Sequence, residues 1–294
     1  MSESVLDTRV RPRAQVTPVL QLGFALRLQK IGLNPTLLAG LVLLALVVLV
    51  AIIAPLLTPY DPIAQKLDEG FLPPLSANHP LGTDNFGRDV WSRIVYSTRL
   101  DLQIGLISVL FPFIFGSLVG IATGYLGGWL DTIFMRIVDV LMAFPFLILV
   151  VAIMAILGPG LVNLYIAFGV VGWIPYTRIT RGETLATRNL EYVQAARTIG
   201  ATGLRIMLRH ILPNVIGPGL VYVFTGMVLA ILIGATLSFL GLGVQPPTPE
   251  WGAMIAAGRQ FLLQAWWLTA LPGVALLVLG VALSLIGDGL ADKR

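Results

Sequence analysis

Apolar residues in this chain are gathered into long blocks separated by shorter polar ones. Leu37–Leu57, Leu102–Leu130, Val140–Thr177, Ile211–Pro249 and Phe261–Gly287 contain no Asp, Glu, Lys or Arg. Crossing about 30 Å of hydrocarbon takes roughly 20 residues of helix. The first and last blocks therefore fit one span each, and the others are long enough for one or two. Turn signals divide them: Gly124, Gly127 and Gly128 mark one tight turn, and Gly158-Pro159-Gly160 another. The pattern predicts six helical spans, near 36–57, 102–125, 132–157, 161–179, 214–240 and 266–286. A polar, proline-rich stretch follows the first span. A basic segment separates the fourth from the fifth, and a loop with Pro246, Pro247, Pro249 and Trp251 precedes the sixth. No soluble domain of useful size is left over. The organisation expected is a polar N-terminal segment 1–35, one membrane domain 36–290 with a loop at 180–213, and a tail 291–294.

Composition agrees. The 294 residues are 56% hydrophobic and 12% charged, against about 25% charged in a typical soluble domain. With no cysteine there is no disulfide framework and no thiolate metal site. His79 and His210 fall in different segments and suggest no metal cluster. The first apolar block begins late and runs into Pro55, Thr58 and Pro59. That argues for an uncleaved first span over a cleavable signal peptide.

The net charge of +4 raises the question of nucleic acid. The basic residues, however, sit in the loops, which is the signature of topology and excludes that partner. Six spans place both termini on one side, together with the basic segment. That side carries Arg9, Arg11, Arg13, Arg27, Lys30, Arg136, Arg178, Arg181, Arg188, Arg197, Arg205, Arg209, Lys293 and Arg294. The other has only Lys66, Arg88, Arg93, Arg99 and Arg259. An excess of Lys and Arg marks the cytoplasm, so both termini and the 180–213 loop are expected there.

That loop reads as two short helices with a turn between them. Asn189 is a plausible N-cap, and Glu191 would face the positive end of the helix dipole. Gly200 suits a left-handed helix end, and Thr202 suits a second cap before a helix running toward Pro213. Ala195 and Ala196 leave a shallow surface that another protein's backbone can approach. Pattern alone leaves two readings open, a docking element or a basic amphipathic helix lying on lipid headgroups.

The segment resembles the EAA loop of ABC-importer permeases: Glu-Ala-Ala, three residues, Gly, nine residues, Ile-x-Leu-Pro. Gln194-Ala195-Ala196, Gly200 and His210-Ile211-Leu212-Pro213 fall at those distances, with Gln194 in place of the first Glu and His210 in place of the Ile. His79-Pro-Leu-Gly-Thr-Asp84-Asn-Phe-Gly-Arg88-Asp89-Val-Trp-Ser-Arg93 resembles the segment before the second span in the C-type subunit of dipeptide, oligopeptide and nickel permeases. The end of the chain, Gly287-Asp288-Gly-Leu-Ala-Asp292, resembles that family's closing pattern, as do Ser238-Phe-Leu-Gly-Leu-Gly243 and the Trp251 loop. The likeness covers nearly the whole chain from Leu37.

The resemblance implies an all-α membrane protein of type I ABC importer permease architecture in a bacterial or archaeal inner membrane. It implies four kinds of partner: a homologous permease subunit in a heterodimer, two ATP-binding cassette subunits, an extracytoplasmic substrate-binding protein, and the surrounding lipid. The loop containing Glu191, Gln194, Ala195, Ala196, Gly200, His210 and Pro213 would dock on an ATPase and couple hydrolysis to movement of the spans. Cargo would be peptides or a related small solute. No cofactor is expected in this chain, with ATP and magnesium on the ATPases. The residues agree, since Lys30, Lys66 and Lys293 follow Gln29, Gln65 and Asp292 and none can complete a phosphate-binding Gly-Lys-Ser/Thr loop.

Other residues invite a function and also have plainer readings. Asp139 lies inside a predicted span, where a carboxylate is by default a functional candidate. Arg136, three residues away on the same face, offers it a structural ion pair. A self-sufficient secondary transporter with Asp139 as an ion relay is the rival reading. It calls for inverted repeats around a midplane site, and no clear repeat relates the two halves. Asp84, Arg88 and Asp89 are candidates for contact with a binding protein, or for a helix cap. Trp251, Trp266 and Trp267 suit an interfacial aromatic belt. Gly116, Gly120 and Gly124, spaced by four, permit close helix packing, within the bundle or against a partner.

Overall fold

A computed structural model describes residues 34–292 of the chain. The N-terminal arginines, Lys30, Lys293, Arg294 and residues 1–33 of the expected N-terminal segment lie outside the described residues. Those described are helical with connecting loops, and they hold only two isolated β-bridges, Ser76–His79 and Thr83–Asp89.

Four helices are long and apolar enough to cross a membrane. They are α1 (Pro35–Leu57), α2 (Val90–Leu126), the helix that runs from Gly203 into α9 (Leu212–Phe239), and α11 (Trp267–Ala291). A fifth candidate is a bent pair, α3 (Gly128–Met142) and α4 (Phe146–Leu157), which meet at 89°. The sequence pattern predicted one straight span there. Proline at 145 has no N–H and steers the preceding Phe144 away from the helical region, so the helix stops. The predicted span at 161–179 is likewise divided, into α5 (Leu161–Val171) and α6 (Trp173–Thr187), with only Gly172 between them. Helix α2 begins at Val90 rather than at Leu102. Asp89 caps it, accepting from the Ser92 N–H at 2.7 Å, and so carries the helix through the polar residues ahead of the apolar block.

The most extensive helix pair is α2 with α6. Gly116, Gly120 and Gly124 form one row on α2, and Thr177, Thr180 and Thr184, all fully buried, face them from α6. A β-carbon added at Gly120 would lie 2.5 Å from the Thr177 carbonyl oxygen, and one at Gly124 would lie 2.8 Å from Cβ of Thr184. The glycine row therefore packs inside the bundle. Hydroxyls that face another backbone need acceptors in a membrane. Thr177 Oγ1 donates to Gly116 O at 3.0 Å, and Thr184 Oγ1 to Thr180 O at 2.7 Å.

Helix α1 is tied to α2 by an arginine. Pro55 cannot donate to the carbonyl of Ala51, four residues earlier. Arg99 supplies the missing donor through Nε and also donates to Ile52 O at 3.1 Å. The short helix α10 (Trp251–Gly258) lies against the start of α2. Trp251 is buried and its ring nitrogen donates to Ile94 O at 3.1 Å, while Asp101 accepts the Trp251 backbone N–H. Trp267, also buried, donates to Thr83 O. These two tryptophans are core anchors rather than members of an interfacial belt, and only Trp266 of the three is exposed. An indole buried in the core needs a partner for its N–H, and both have one.

Candidate coupling surface

The loop between α6 and α9 is built as two helices joined at Gly200. The first, α7 (Glu191–Thr198), has Glu191 in its first turn and Arg197 in its last, both favourable to the helix dipole. Its N-cap is Leu190 and not Asn189, and it has no side-chain cap. Instead the N–H groups of Val193 and Gln194 bond to the Leu190 carbonyl. At the other end Ala201 N–H reaches Ala196 O and Gly200 N–H reaches Arg197 O, each at 3.0 Å, which is the Schellman closure. Gly200 has φ +80, and nothing lies within 4 Å of where its β-carbon would be. Backbone conformation alone favours glycine there.

Thr202 caps the second element, accepting from the Arg205 N–H. From there α8 (Gly203–Ile206) continues through a π-helical turn, Met207–Ile211, directly into α9. Pro213 sits at the start of α9 and cannot donate to Arg209 four residues back. The wider π turn takes up that mismatch. The His210 carbonyl accepts from Asn214 Nδ2 at 2.6 Å and from Tyr192 OH at 3.5 Å, which ties α7 to this turn. His210 thus holds the loop through its backbone. No hydrogen-bond partner meets its Nδ1.

One face of the loop is inward. Val193, Ala196, Ile206, Ile211 and Val215 are buried together with Ile121 of α2, and Arg197 lies over the Tyr125 ring at 5.0 Å. The shallow surface predicted at Ala195 and Ala196 is only half present. Ala195 is exposed, but Ala196 is buried in the loop's own core, because the helical period turns it to the side of Val193. The outer face carries Leu190, Tyr192, Gln194, Ala195, Ile199, Leu204 and Leu208. Ile199 is 84% and Leu204 63% exposed, on either side of the Gly200 turn, and Arg197 and Arg205 are exposed beside them in sequence. These side chains are candidates for contact with a partner. Their signal in the sequence is weak, since the motif's spacing points to Ala195 and Gly200 and passes over Ile199 and Leu204.

At the opposite end of α2, the segment from Thr58 to Asp89 is stitched to itself. Lys66 N–H bonds to Phe86 O, Phe71 N–H to Asp84 O and Thr83 N–H to Leu72 O, each at 3.0 Å. Asp84, Arg88 and Asp89 are buried here. Asp84 Oδ2 accepts from Arg88 Nε at 2.7 Å. Asp89 Oδ1 meets His79 Nδ1 at 2.8 Å, and the other ring nitrogen of His79 meets Glu69 Oε2 at 3.1 Å. The three residues singled out in the sequence form an internal brace and a helix cap, turned away from solvent.

Two family descriptions match the chain. "Binding-protein-dependent transport system inner membrane component" covers residues 116–294, and "N-terminal TM domain of oligopeptide transport permease C" covers 31–74. The chain belongs to this permease family. The di/tripeptide transport system permease protein DppC of Pseudomonas aeruginosa is 44% identical over 90% of this permease and 89% of its own length. The probable D,D-dipeptide transport system permease protein DdpC of Escherichia coli is 42% identical over 88% and 87%. A chain of the MetNI methionine ABC transporter, solved in inward-facing conformations, aligns at a TM-score of 0.55 and 21% identity, over 70% of the permease and 97% of that chain. The shared fold is that of type I ABC importer permeases.

Within the permease fold Asp139 does not pair with Arg136. Its Oδ1 lies 3.0 Å from Arg178 Nη2 of α6, and both side chains are about half exposed. Two helical turns away Asp131 holds Arg181 with two bonds, of 2.6 and 2.7 Å. The partners come from a distant part of the chain, so local spacing could not reveal them. The pair with Arg178 gives Asp139 a structural partner, as the plainer reading of this residue expected, though from another helix. No group of three or more His, Cys, Asp or Glu suited to a metal occurs among the described residues.

Proposed function

We propose that this permease subunit imports short peptides. It would pair with a homologous permease, two ATP-binding cassette subunits and an extracytoplasmic binding protein. The loop, both termini and the Asp139–Arg178 pair lie on the cytoplasmic side of the inner membrane, and the braced 58–89 segment faces outward. ATP and magnesium bind on the ATPases. Closure of the ATPases moves the loop, and the buried contact of Val193, Ala196 and Ile206 with Ile121 passes that movement to α2. The observation that carries this reading is the pair of exposed apolar side chains, Ile199 and Leu204, on a two-helix loop whose inner face packs with Ile121. The peptide cargo is supported by the relatives' names, at 42–44% identity over nearly the full length.

The test is uptake of labelled di- and tripeptides into vesicles holding the complete complex, with ATP, magnesium and loaded binding protein. ATP-dependent accumulation is expected, and hydrolysis with no peptide uptake would refute the cargo. Orientation is read separately in the cysteine-free chain, with Ala77→Cys and Asn189→Cys at exposed positions. An impermeant thiol reagent should label position 77 in sealed cells and leave 189 untouched. The reverse would invert the topology.

A further inference from the structure

Midway along the bundle, α2, α5, α6 and α9, with Phe146 at the start of α4, line a partly open cavity of about 230 Å³. Phe146 and Phe168 line one part of it, and Tyr176 and Tyr222, in edge contact at 5.2 Å, another. No Asp, Glu, Lys, Arg or His lines it among the described residues.

Its side-chain polar groups are the hydroxyls of Ser108, Tyr176 and Tyr222, and two of them are unpaired. Ser108 and Tyr176 are each 2% exposed, and neither hydroxyl oxygen has a hydrogen-bond partner. A buried hydroxyl left without a partner costs stability and calls for an explanation. The backbone adds to them. Pro112 of α2 removes the helical donor to the Ser108 carbonyl, and Pro175 of α6 removes the donor to Val171, beside the break at Gly172. A proline inside α2 and the break at Gly172 leave backbone carbonyls without their helical donors, and with the hydroxyls these are groups that a lipid chain cannot satisfy. A neutral amide can, because it both donates and accepts. Charged termini cannot enter without a counter-ion, since burying an unpaired charge is far more costly.

We propose that this cavity is a transit site for one uncharged residue of the cargo peptide. Its apolar side chain lies against Phe146 and Phe168, and its backbone amide is held by Ser108 and Tyr176. The assignment rests on the peptide-import reading and adds where, within this chain, the cargo is held.

The test uses the complete complex in vesicles and the initial uptake rates of trileucine and triglycine, alongside ATP hydrolysis stimulated by loaded binding protein. Ser108→Ala with Tyr176→Phe removes two unpaired hydroxyls and keeps the packing. It should slow both peptides by about two- to tenfold, the range for a neutral hydrogen bond. Ala230→Leu, which fills the cavity from α9, should slow trileucine and spare triglycine. A peptide carrying a diazirine-leucine should crosslink in the unmutated complex to the segments around Phe146 and Phe168, with the other lining stretches, Ser108–Pro112 and Tyr222–Ile233, within reach, a readout that needs no variant to fold. Unchanged rates in both variants, or crosslinks confined to other helices, overturn the transit site while peptide import stands. Absence of any peptide uptake by the unmutated complex overturns both.

Discussion

Two glycine-to-alanine changes on neighbouring helices should shift stability in opposite directions. In a helix interior the exchange by itself gains about 0.5–1 kcal/mol, because glycine loses more backbone freedom on folding. At Gly182 of α6 nothing lies within 4 Å of the new methyl group, so Gly182→Ala should keep that gain. At Gly120 of α2 the methyl group would sit 2.5 Å from Thr177 O and 2.9 Å from Arg181 N. Both are backbone atoms of the facing helix and cannot rotate aside. Relief requires the α2–α6 pair to part, loosening the neighbouring contacts at Gly116 and Gly124. Overpacking of this kind costs about 1–3 kcal/mol, so Gly120→Ala should lose about 1–2 kcal/mol after the propensity gain. The assay is thermal unfolding of the detergent-solubilised permease, followed by monodisperse recovery of a fluorescent fusion. Gly182→Ala should melt at or above the unmutated chain, Gly120→Ala below it, and Gly120→Leu lower still. Equal midpoints for the two alanine variants would show that the glycine row does not set the distance between α2 and α6.

Gly200→Val should uncouple the loop while Gly200→Asn is tolerated. The position is open but left-handed, which costs a non-glycine residue about 1–2 kcal/mol and asparagine less. ATP hydrolysis that responds equally to loaded binding protein in both variants would remove the turn from the mechanism. His79→Ala strips a partner from each of two carboxylates, one of them buried, and should cost about 1–3 kcal/mol. Limited proteolysis should then cut within residues 58–89, with His79→Gln intermediate, and an unchanged digestion pattern would deny the brace.

Much of the fold could be read in the sequence because a membrane makes long apolar blocks obligatory. Helices α1, α9 and α11 follow those blocks closely. The two-helix loop at 180–213 is legible for a different reason: Gly200 and Thr202 are conformational signals that act locally, and both do what their residue types dictate. What escaped depends on contacts between distant segments. Arg178 reaches Asp139 across 39 positions, and Trp251 reaches the Ile94 carbonyl across 157. Such partners leave no trace in local spacing. The break at Pro145 was visible in the residues but outweighed by hydrophobicity, which does not register an 89° bend. Ala196 was misplaced because a small residue suits a foreign backbone and a tight internal contact equally well. Only the position of Ile121 beneath it decides between the two.

Capture of the ATPase by this chain tests the central claim most directly. Ile199→Asp and Leu204→Asp alter side chains that project from the loop, so insertion and folding should be unaffected. With the tag on this chain and the partner permease present, the unmutated subunit should bring down the ATPase in fixed proportion. A buried contact of hot-spot quality is worth at least about 2 kcal/mol, so each variant should weaken capture by about thirtyfold and abolish peptide uptake. Undiminished ATPase capture and uptake in both variants would contradict the account, because the exposed face at Ile199 and Leu204 would then couple to nothing.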